Sequence, residues 1–351
     1  MPVSIKDIAH LAGVSHSTVS RALRDSPLIS QKTAERIRKI AEQEGYNPSA
    51  VARGLVTNRT EAIGVVVTSI ADPFNGEVVA GIEELANEHG YTVILATSQA
   101  DAAREMAVVR SFQGRRVDGI LVASSRVGAL HEPLLSELHI PIVLLNNQHP
   151  SVFAHSVRFD NERGAYEATR HLVELGHTRI AYLGDEFGLH SDAERYEGFC
   201  KMMTEAGLAV DQRLVKRANG KPEGAREAVR QLLAGAEMPS AIFCYNDMSA
   251  LGVLFEASLY GIRVPEDISV VGFDDIFFSS YLKPALTTVR QPMKDLGRRA
   301  MELLLALLRN EETERTVLVK GKLVVRGSTA EPRTSAYQAI LSGKNSATRS
   351  S

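Results

Sequence analysis

Apolar side chains recur at helical spacing along the first 46 residues and are interrupted by turn residues. The first such series is Ile5, Ile8, Ala9 and Ala12, followed by Gly13. Glycine ends helices readily because it adopts positive φ without strain. Two more amphipathic stretches, near 15–24 and 31–45, complete a predicted unit of three short helices.

Each of these predicted helices begins at a serine that can cap it. Ser4 and Asp7 form a capping-box pattern, and Ser15 and Ser30 precede the second and third helices. The outward positions of the second helix are small, polar or basic: His16, Ser17, Ser20, Arg21 and Arg24. Such a face suits the major groove of DNA. A helical pair with a merely solvated face fits these residues as well.

A fourth, shorter helix is predicted directly after this unit. Asn47 can cap it and Pro48 suits its first turn, but Gly54 weakens it. A helix of about two turns is marginal in water without a stabilising partner. The pattern therefore predicts a segment whose folding depends on what it contacts, as a switch requires.

The rest of the chain alternates apolar runs of strand length with amphipathic helices. The predicted strands are 62–68, 91–96, 119–123, 140–145, 179–184, 241–245 and 268–273. The predicted helices are 77–90, 102–113, 162–175, 193–206, 225–233 and 247–260. This rhythm indicates parallel sheets covered by helices on both faces, and it restarts after Asp160. We therefore expect two doubly wound halves.

Charge, length and cysteine content limit the classes of protein to which this chain can belong. Residues 1–60 carry nine Lys and Arg against five Asp and Glu, whereas the remainder carries 31 against 37. A basic head on a mildly acidic body is expected when one end meets phosphate. The 351 residues suit two or three structural units. Two cysteines without a metal-ligand spacing, no export signal and no membrane-length apolar run predict a cytoplasmic protein.

The motifs of the N-terminal unit resemble those of the LacI/GalR family of bacterial transcription regulators. The matching segments are Ile5–Ala9, Ala12–Ser15, Ser17–Leu23 and Gly45–Pro48. The resemblance continues to about residue 330. It implies a helix-turn-helix headpiece with a hinge helix, followed by a periplasmic-binding-protein-like core of two doubly wound parallel-sheet subdomains. It also implies a homodimer on palindromic operator DNA.

The family pattern also implies domain boundaries. A headpiece at 1–46 and a hinge at 47–60 precede the core at 61–330. The expected core subdomains are 61–160 with 291–319, and 161–290 with 320–330. The small, polar segment 331–351 is expected to be disordered, and it lacks the leucine heptad of a tetramer-forming coil.

The predicted DNA-contacting residues lie in the headpiece and hinge. They are Ser4, Ser15, His16, Ser17, Thr18, Ser20, Arg21, Asn47, Ala52 and Leu55. Arg21 is the residue expected to reach a guanine edge, with a phosphate contact as the alternative. Leu55 is expected to be an apolar wedge between base steps of the minor groove, or else to pack on the body. Gly54 departs from the serine common in the family and would weaken the hinge helix.

Ligands of doubly wound halves bind at the carboxyl ends of strands, where polar residues of this chain cluster. The predicted effector-binding residues are Asp72, Phe74, Ser124, Ser125, Asn146, Asn147, Ser191, Arg195, Asn246 and Asp274. Their carboxylates, amides and guanidinium suit vicinal hydroxyls, and Phe74 offers a flat face to a sugar ring. We therefore expect a sugar, polyol or sugar phosphate rather than a purine. Arg195 and Asp274 carry most weight because they match family effector positions.

Several of these residues also have a purely structural interpretation. Asp72 precedes a proline and could be a turn residue, Asn146 and Asn147 could form turns, and Asp247 is expected to cap its own helix. Leu189 stands where several family members carry a polar ligand group, which leaves the identity of the effector open.

No enzyme motif is found along the chain. The phosphate-binding glycine loops, the nucleophile elbow and metal-ligand spacings are all missing from the sequence, which predicts a non-enzyme without cofactor or metal. One alternative is a global regulator whose co-effector is a phosphorylated carrier protein. Another is a solute-binding protein, against which the headpiece and the missing export signal argue.

Overall fold

The computed structural model describes residues 3–23, 25–46, 59–127, 140–148, 155–233 and 238–333. The predicted DNA contacts Asn47, Ala52 and Leu55 lie outside the described residues, as do 334–351 of the predicted tail. The chain divides into two units, Met1–Glu61 and Ala62–Ser351.

In the described part of the first unit, three helices surround a small apolar core. They are α1 (Ile5–Ala12), α2 (His16–Ala22) and α3 (Gln31–Gln43). The predicted serine caps are present: Ser4 and Asp7 form a reciprocal capping box, Ser15 accepts from the amide of Thr18, and Ser30 accepts from that of Thr33. Ile8, Val19 and Ile37 are fully buried where the helices meet. Gly13 ends α1 at a φ of 62°, as its position in the pattern predicts.

The second unit contains two six-stranded sheets. The strands of the first sheet are β1 (Ala62–Val67), β2 (Thr92–Thr97), β3 (Gly119–Ala123), β4 (Ile142–Leu145), β5 (Ser156–Phe159) and β11 (Thr316–Val319). Their order is β11-β5-β4-β3-β1-β2, and all of these pairs are parallel. In register, Val65 on β1 lies beside Leu95 on β2 and Leu121 on β3.

The second sheet repeats this plan with one difference. Its strands are β6 (Ile180–Asp185), β7 (Val215–Ala218), β8 (Ala241–Cys244), β9 (Ser269–Asp274), β10 (Thr287–Arg290) and β12 (Lys322–Val324). Their order is β12-β10-β9-β8-β6-β7, and β12 runs antiparallel to β10. The α/β fold class with two mostly parallel sheets is thus confirmed.

Helices cover the faces of both sheets. Among the residues that the structure describes, three helices pack with the first sheet: α4 (Pro73–Glu88), α5 (Ala102–Gly114) and α10 (Met293–Leu308). Four others pack with the second: α6 (Asn161–Glu174), α7 (His190–Glu205), α8 (Pro222–Leu233) and α9 (Asp247–Leu259). Each sheet forms a subdomain with its helices: the first subdomain contains the first sheet, and the second subdomain contains the second sheet.

The chain passes between the subdomains three times. It leaves β5 for α6 after Phe159, leaves β10 for α10 after Arg290, and leaves β11 for β12 after Val319. These three short connections are called the crossovers. Each sheet therefore holds strands from distant parts of the chain, which a pattern read locally does not reveal.

Element boundaries differ from the sequence prediction in specific places. Helix α4 begins at Pro73 rather than at 77, because the Asp72 carboxylate caps it and proline suits its first position. Helix α7 begins at His190 rather than at 193. The pattern did not predict α10 or the short strands β5, β7, β10, β11 and β12. None of these strands exceeds four residues, too few for alternation of polarity to be distinctive.

Glycines allow the closest approach between helices of the first subdomain. A Cβ added at Gly81 of α4 would overlap the carbonyl oxygen of Lys294 in α10. Conversely, a Cβ at Gly297 of α10 would overlap the carbonyl oxygen of Val78 in α4. The two backbones are therefore in direct contact, and neither can yield without moving a whole helix.

We expect Gly81→Ala to destabilise the body by ~1–3 kcal/mol, because the methyl group forces α4 away from α10. Gly76→Ala is the matched control, since Gly76 lies in the same helix with no atom near the added Cβ. That change should raise stability by about 0.5–1 kcal/mol through the higher helix propensity of alanine. Denaturant unfolding of both variants measures the difference, and equal midpoints would contradict the close-packing interpretation.

Candidate functional site

The outer face of α2 presents the predicted DNA-contacting side chains of the first unit. His16, Ser17 and Arg21 are exposed, and Thr18 and Ser20 are half-buried. The core face of the same helix is formed by Val19 and Ala22. A short helix with one apolar face and one exposed polar, basic face has the form that enters the major groove.

Hydroxyl groups at the start of α2 bond to one another. The Ser15 hydroxyl lies 2.8 Å from the Ser17 hydroxyl and 2.9 Å from that of Thr18, and it accepts from the Thr18 amide at 3.2 Å. Ser4 likewise caps α1. Ser4 and Ser15 thus orient the helices, whereas His16 and Arg21 extend from α2 toward solvent.

In the second unit, the guanidinium of Arg195 on α7 is buried and held on several sides. Its Nε donates to Oδ1 of Asn161 at 2.9 Å, and its Nη1 donates to the carbonyl of Tyr245 at 2.5 Å. Its Cζ lies 3.8 Å from the centre of the Phe273 ring and 4.5 Å from that of Tyr245. These contacts leave Arg195 5 % exposed with a fixed orientation.

Asp274, at the end of β9, lies beside this guanidinium. Its Oδ1 is 3.7 Å from Nη2 of Arg195 and accepts from Nε2 of Gln291 at 2.6 Å. Burial raises the pKa of the Asp274 carboxyl well above its usual range, the charge of Arg195 opposes this, and Asp247 and Asp72 raise it further. The residue has a φ of 121°, a strained conformation of the kind that clusters at functional sites.

Gln291 was not predicted as a site residue. Its side chain is 2 % exposed, and its Oε1 has no hydrogen-bond partner among the residues that the structure describes. Buried polar atoms are nearly always paired, so an orphaned acceptor beside Asp274 indicates a place for a ligand donor. Its position just after β10, at a crossover, could have identified it had that strand been recognised.

Asp72 and Phe74 come from the first subdomain. The Asp72 carboxylate accepts from the Phe74 amide at 3.0 Å as it caps α4, and burial raises its pKa. Its charge reaches Asp274, so the two carboxyl groups lie within electrostatic range across the two subdomains. The Phe74 ring is half-buried against the core of the first subdomain.

The polar residues after β3 and β4 are largely engaged in local structure. Ser125 donates to Oε1 of Glu105 at 2.5 Å. Asn146 adopts a φ of 44° and its Oδ1 accepts from the Phe159 amide at 3.0 Å. Ser124 is half-buried with a φ of 54°, and Asn147 is 8 % exposed. The turn-forming interpretation of Asn146 therefore has direct structural support.

Ser191 lies one turn before Arg195, so both side chains are on the same face of α7. The Ser191 hydroxyl is 2.9 Å from the Tyr245 hydroxyl, whose pKa burial raises to about 12. The Ser191 amide donates to Oε1 of Gln148 at 3.1 Å. Gln148 follows β4, so this bond joins the two subdomains across the cleft between them.

Asn246, which the sequence predicted as an effector contact, has the capping role that was predicted for Asp247. Asn246, not Asp247, caps α9: its Oδ1 accepts from the Ser249 amide at 2.8 Å, and its Nδ2 donates to the carbonyl of Gly220 at 3.0 Å. Asp247 is buried and accepts from the Ser279 and Thr288 hydroxyls and the Ile276 amide. Burial raises the pKa of Asp247 to about 6. The cap prediction for Asp247 was wrong because Asp247 is itself the first residue of the helix, which leaves the cap position to Asn246.

Within the described ranges, no group of three or more His, Cys, Asp or Glu side chains could hold a metal ion. No helix within the same ranges is long and apolar enough to cross a bilayer.

Each of the two units matches a known family model. Residues 4–49 match the family model "Bacterial regulatory proteins, lacI family", and residues 169–329 match "Periplasmic binding protein-like domain". The HTH-type transcriptional repressor PurR of Photobacterium profundum is 35% identical over 327 residues, which cover 93% of this chain and 98% of the relative.

Solved structures of regulators share the fold. The lac repressor dimer bound to operator and the anti-inducer ONPF has a TM-score of 0.86 at 28% identity and covers 94% of this chain and 100% of its own. The complex of transcriptional regulator CelR with cellobiose has a TM-score of 0.71 at 30% identity and covers 93% and 99%. With its N-terminal helices, its two parallel-sheet subdomains and these similarities, the chain belongs to the lacI family of bacterial regulatory proteins and is a DNA-binding transcription regulator.

Proposed function

We propose that the protein is a cytoplasmic repressor that binds a near-palindromic operator as a homodimer and responds to a polyhydroxylated small molecule, a sugar, polyol or sugar phosphate. The main support for this class of effector is the group of side chains formed by Arg195, Asp274 and Gln291. It offers a guanidinium donor, a carboxyl acceptor and an orphaned amide oxygen at the carboxyl ends of parallel strands.

The chemistry of this group suits vicinal hydroxyls. A hydroxyl both donates and accepts, so one sugar hydroxyl can accept from Arg195 while its neighbour donates to Oε1 of Gln291. Asp72 and Phe74 bring a second carboxyl group and a ring face from the opposite subdomain. The transcriptional regulator CelR has been solved in complex with cellobiose, which is consistent with a carbohydrate ligand on this fold.

A thermal-shift panel tests the effector class. Pentoses, hexoses, disaccharides, sugar phosphates and free nucleobases are added to the purified protein and to Arg195→Ala. We expect one carbohydrate class to stabilise the wild type, by ~2.7 kcal/mol at 100 times its Kd, and not the variant. Stabilisation by nucleobases alone would contradict the proposal.

Operator binding should depend on Arg21. A bidentate contact to a guanine edge contributes ~1–3 kcal/mol, so Arg21→Ala should weaken binding and relax preference at one operator position. Lys39→Ala, which removes an exposed cation from α3, should leave sequence preference unchanged. Selection from a randomised operator library measures the base preference of both variants. If Arg21→Ala weakens binding equally at every operator position, Arg21 contacts a phosphate rather than a base.

Effector response should depend on Arg195 and Asp274. A hydrogen bond from the Arg195 guanidinium to a ligand contributes ~1.5–3 kcal/mol, so Arg195→Ala should lower effector affinity about 10-fold to 100-fold. Asp274→Asn should lower it as well, because the amide keeps only one acceptor oxygen. Asparagine has the size and shape of aspartate, so the substitution adds no bulk at this backbone position. Both variants should keep operator affinity in the absence of effector, since the residues belong to the second unit.

The matched control for these variants is Arg170→Ala. Arg170 is an exposed arginine of α6 that pairs with Glu167 and Glu174 on its own helix. Operator binding with and without the stabilising carbohydrate is compared for all variants after circular dichroism has shown them folded. A wild-type response from Arg195→Ala would show that Arg195 is structural rather than part of the sensor.

A further inference from the structure

Helix α7, which carries Ser191 and Arg195, begins without a capping side chain of its own. Leu189 occupies the N-cap position and its side chain makes no capping hydrogen bond. Its carbonyl accepts from the amides of Asp192 and Ala193, each at 3.1 Å. The amide of Ser191 lies closer to the helix start, where backbone donors need a partner from outside the helix.

That partner is Gln148 of the first subdomain. Its Oε1 accepts from the Ser191 amide at 3.1 Å, the contact that a serine or aspartate at the N-cap would normally supply. Gln148 is itself held in place, because its Nε2 donates to the carbonyl of Asn146 at 2.8 Å and its backbone amide donates to the carbonyl of Ser125 at 3.0 Å. The cap is therefore presented by a fixed side chain from across the cleft.

Two further side chains of the first subdomain contact the same stretch. The Arg126 guanidinium lies 5.7 Å from the centre of the Phe187 ring, and its charge also reaches Asp185. Arg158 on β5 pairs with Glu194 in α7. Three residues of the first subdomain therefore contact residues 185–194 of the second: Arg126 after β3, Gln148 after β4 and Arg158 on β5.

We propose that Gln148 is a positioning residue of the effector cleft, which caps α7 across the cleft and so makes the order of that helix's first turn depend on subdomain closure. The inference rests on the proposed effector function of Ser191 and Arg195. Opening the cleft removes the cap and loosens the turn that carries Ser191. Closing it fixes Ser191 and, one turn on, Arg195.

Hydrogen–deuterium exchange of the full-length protein, read by mass spectrometry on peptides covering 187–195, tests this without any effector. Gln148→Ala should speed exchange of the first-turn amides of α7 about tenfold, although the substitution lies in the other subdomain. Gln148→Glu should keep the protection, since a carboxylate is a good acceptor at a helix N-terminus. Gln212→Ala is the control, because Gln212 also bonds to α7, at Tyr196, but from its own subdomain.

A second substitution distinguishes the loss of the helix cap from the loss of the bond between the subdomains. Adding Leu189→Ser to Gln148→Ala supplies a cap from within the helix and should restore protection of the first turn. The radius of gyration from small-angle X-ray scattering should be larger than in the wild type for both variants, because each lacks the bond between Gln148 and Ser191 that joins the subdomains.

Two results would overturn the proposal. One is wild-type exchange of the α7 first turn in Gln148→Ala, and the other is an equal effect of Gln212→Ala. Neither outcome bears on the effector class, which fails instead if no carbohydrate stabilises the protein through Arg195.

Discussion

A guanidinium buried beside a carboxyl group is the interaction on which the architecture of the cleft depends. Removing both groups from water carries a large desolvation penalty, which their attraction offsets only when other hydrogen bonds complete the site. Arg195 obtains these from Asn161 and from the carbonyl of Tyr245, and Asp274 obtains its own from Gln291. The pair is therefore stable only inside this particular arrangement of backbone and side chains.

Two of those supporting residues lie at or next to crossovers. Asn161 opens α6 just after the first crossover, and Gln291 lies in the second, between β10 and α10. Arg195 and Asp274 are thus bonded to residues at the chain segments that join the subdomains. A ligand that changes the environment of Arg195 or Asp274 can act on those segments through Asn161 and Gln291, which is the kind of local contact that a hinge movement needs.

Close packing joins helices within each subdomain. Backbone contact at Gly81 and Gly297 joins α4 to α10, and an equally tight approach at Gly198 joins α7 to α6. Helices in such contact do not slide independently, because interiors this dense have few alternative packings. Contacts between the subdomains are of both kinds: Gln148 accepts from the Ser191 amide, and Ile276 of the second subdomain packs into the apolar core of the first. Each subdomain is thus suited to moving as a rigid part.

The sequence by itself determined the local features: the three capped helices of the first unit, the alternation of strands and helices, and the polar character of the strand ends. These features follow from hydrophobic periodicity and helix-cap chemistry, which act over a few residues. The family motifs identified Arg195 and Asp274 as candidate effector contacts. Only the tertiary structure decided the roles of Gln291, Asn161 and Gln148, and the cap at Asn246 in place of Asp247. Asn161 and Gln291 follow strands β5 and β10, which are too short to leave a pattern, and all three roles depend on contacts between residues far apart in the chain. Burial and hydrogen-bond partners are properties of that arrangement, so no local pattern could reveal them.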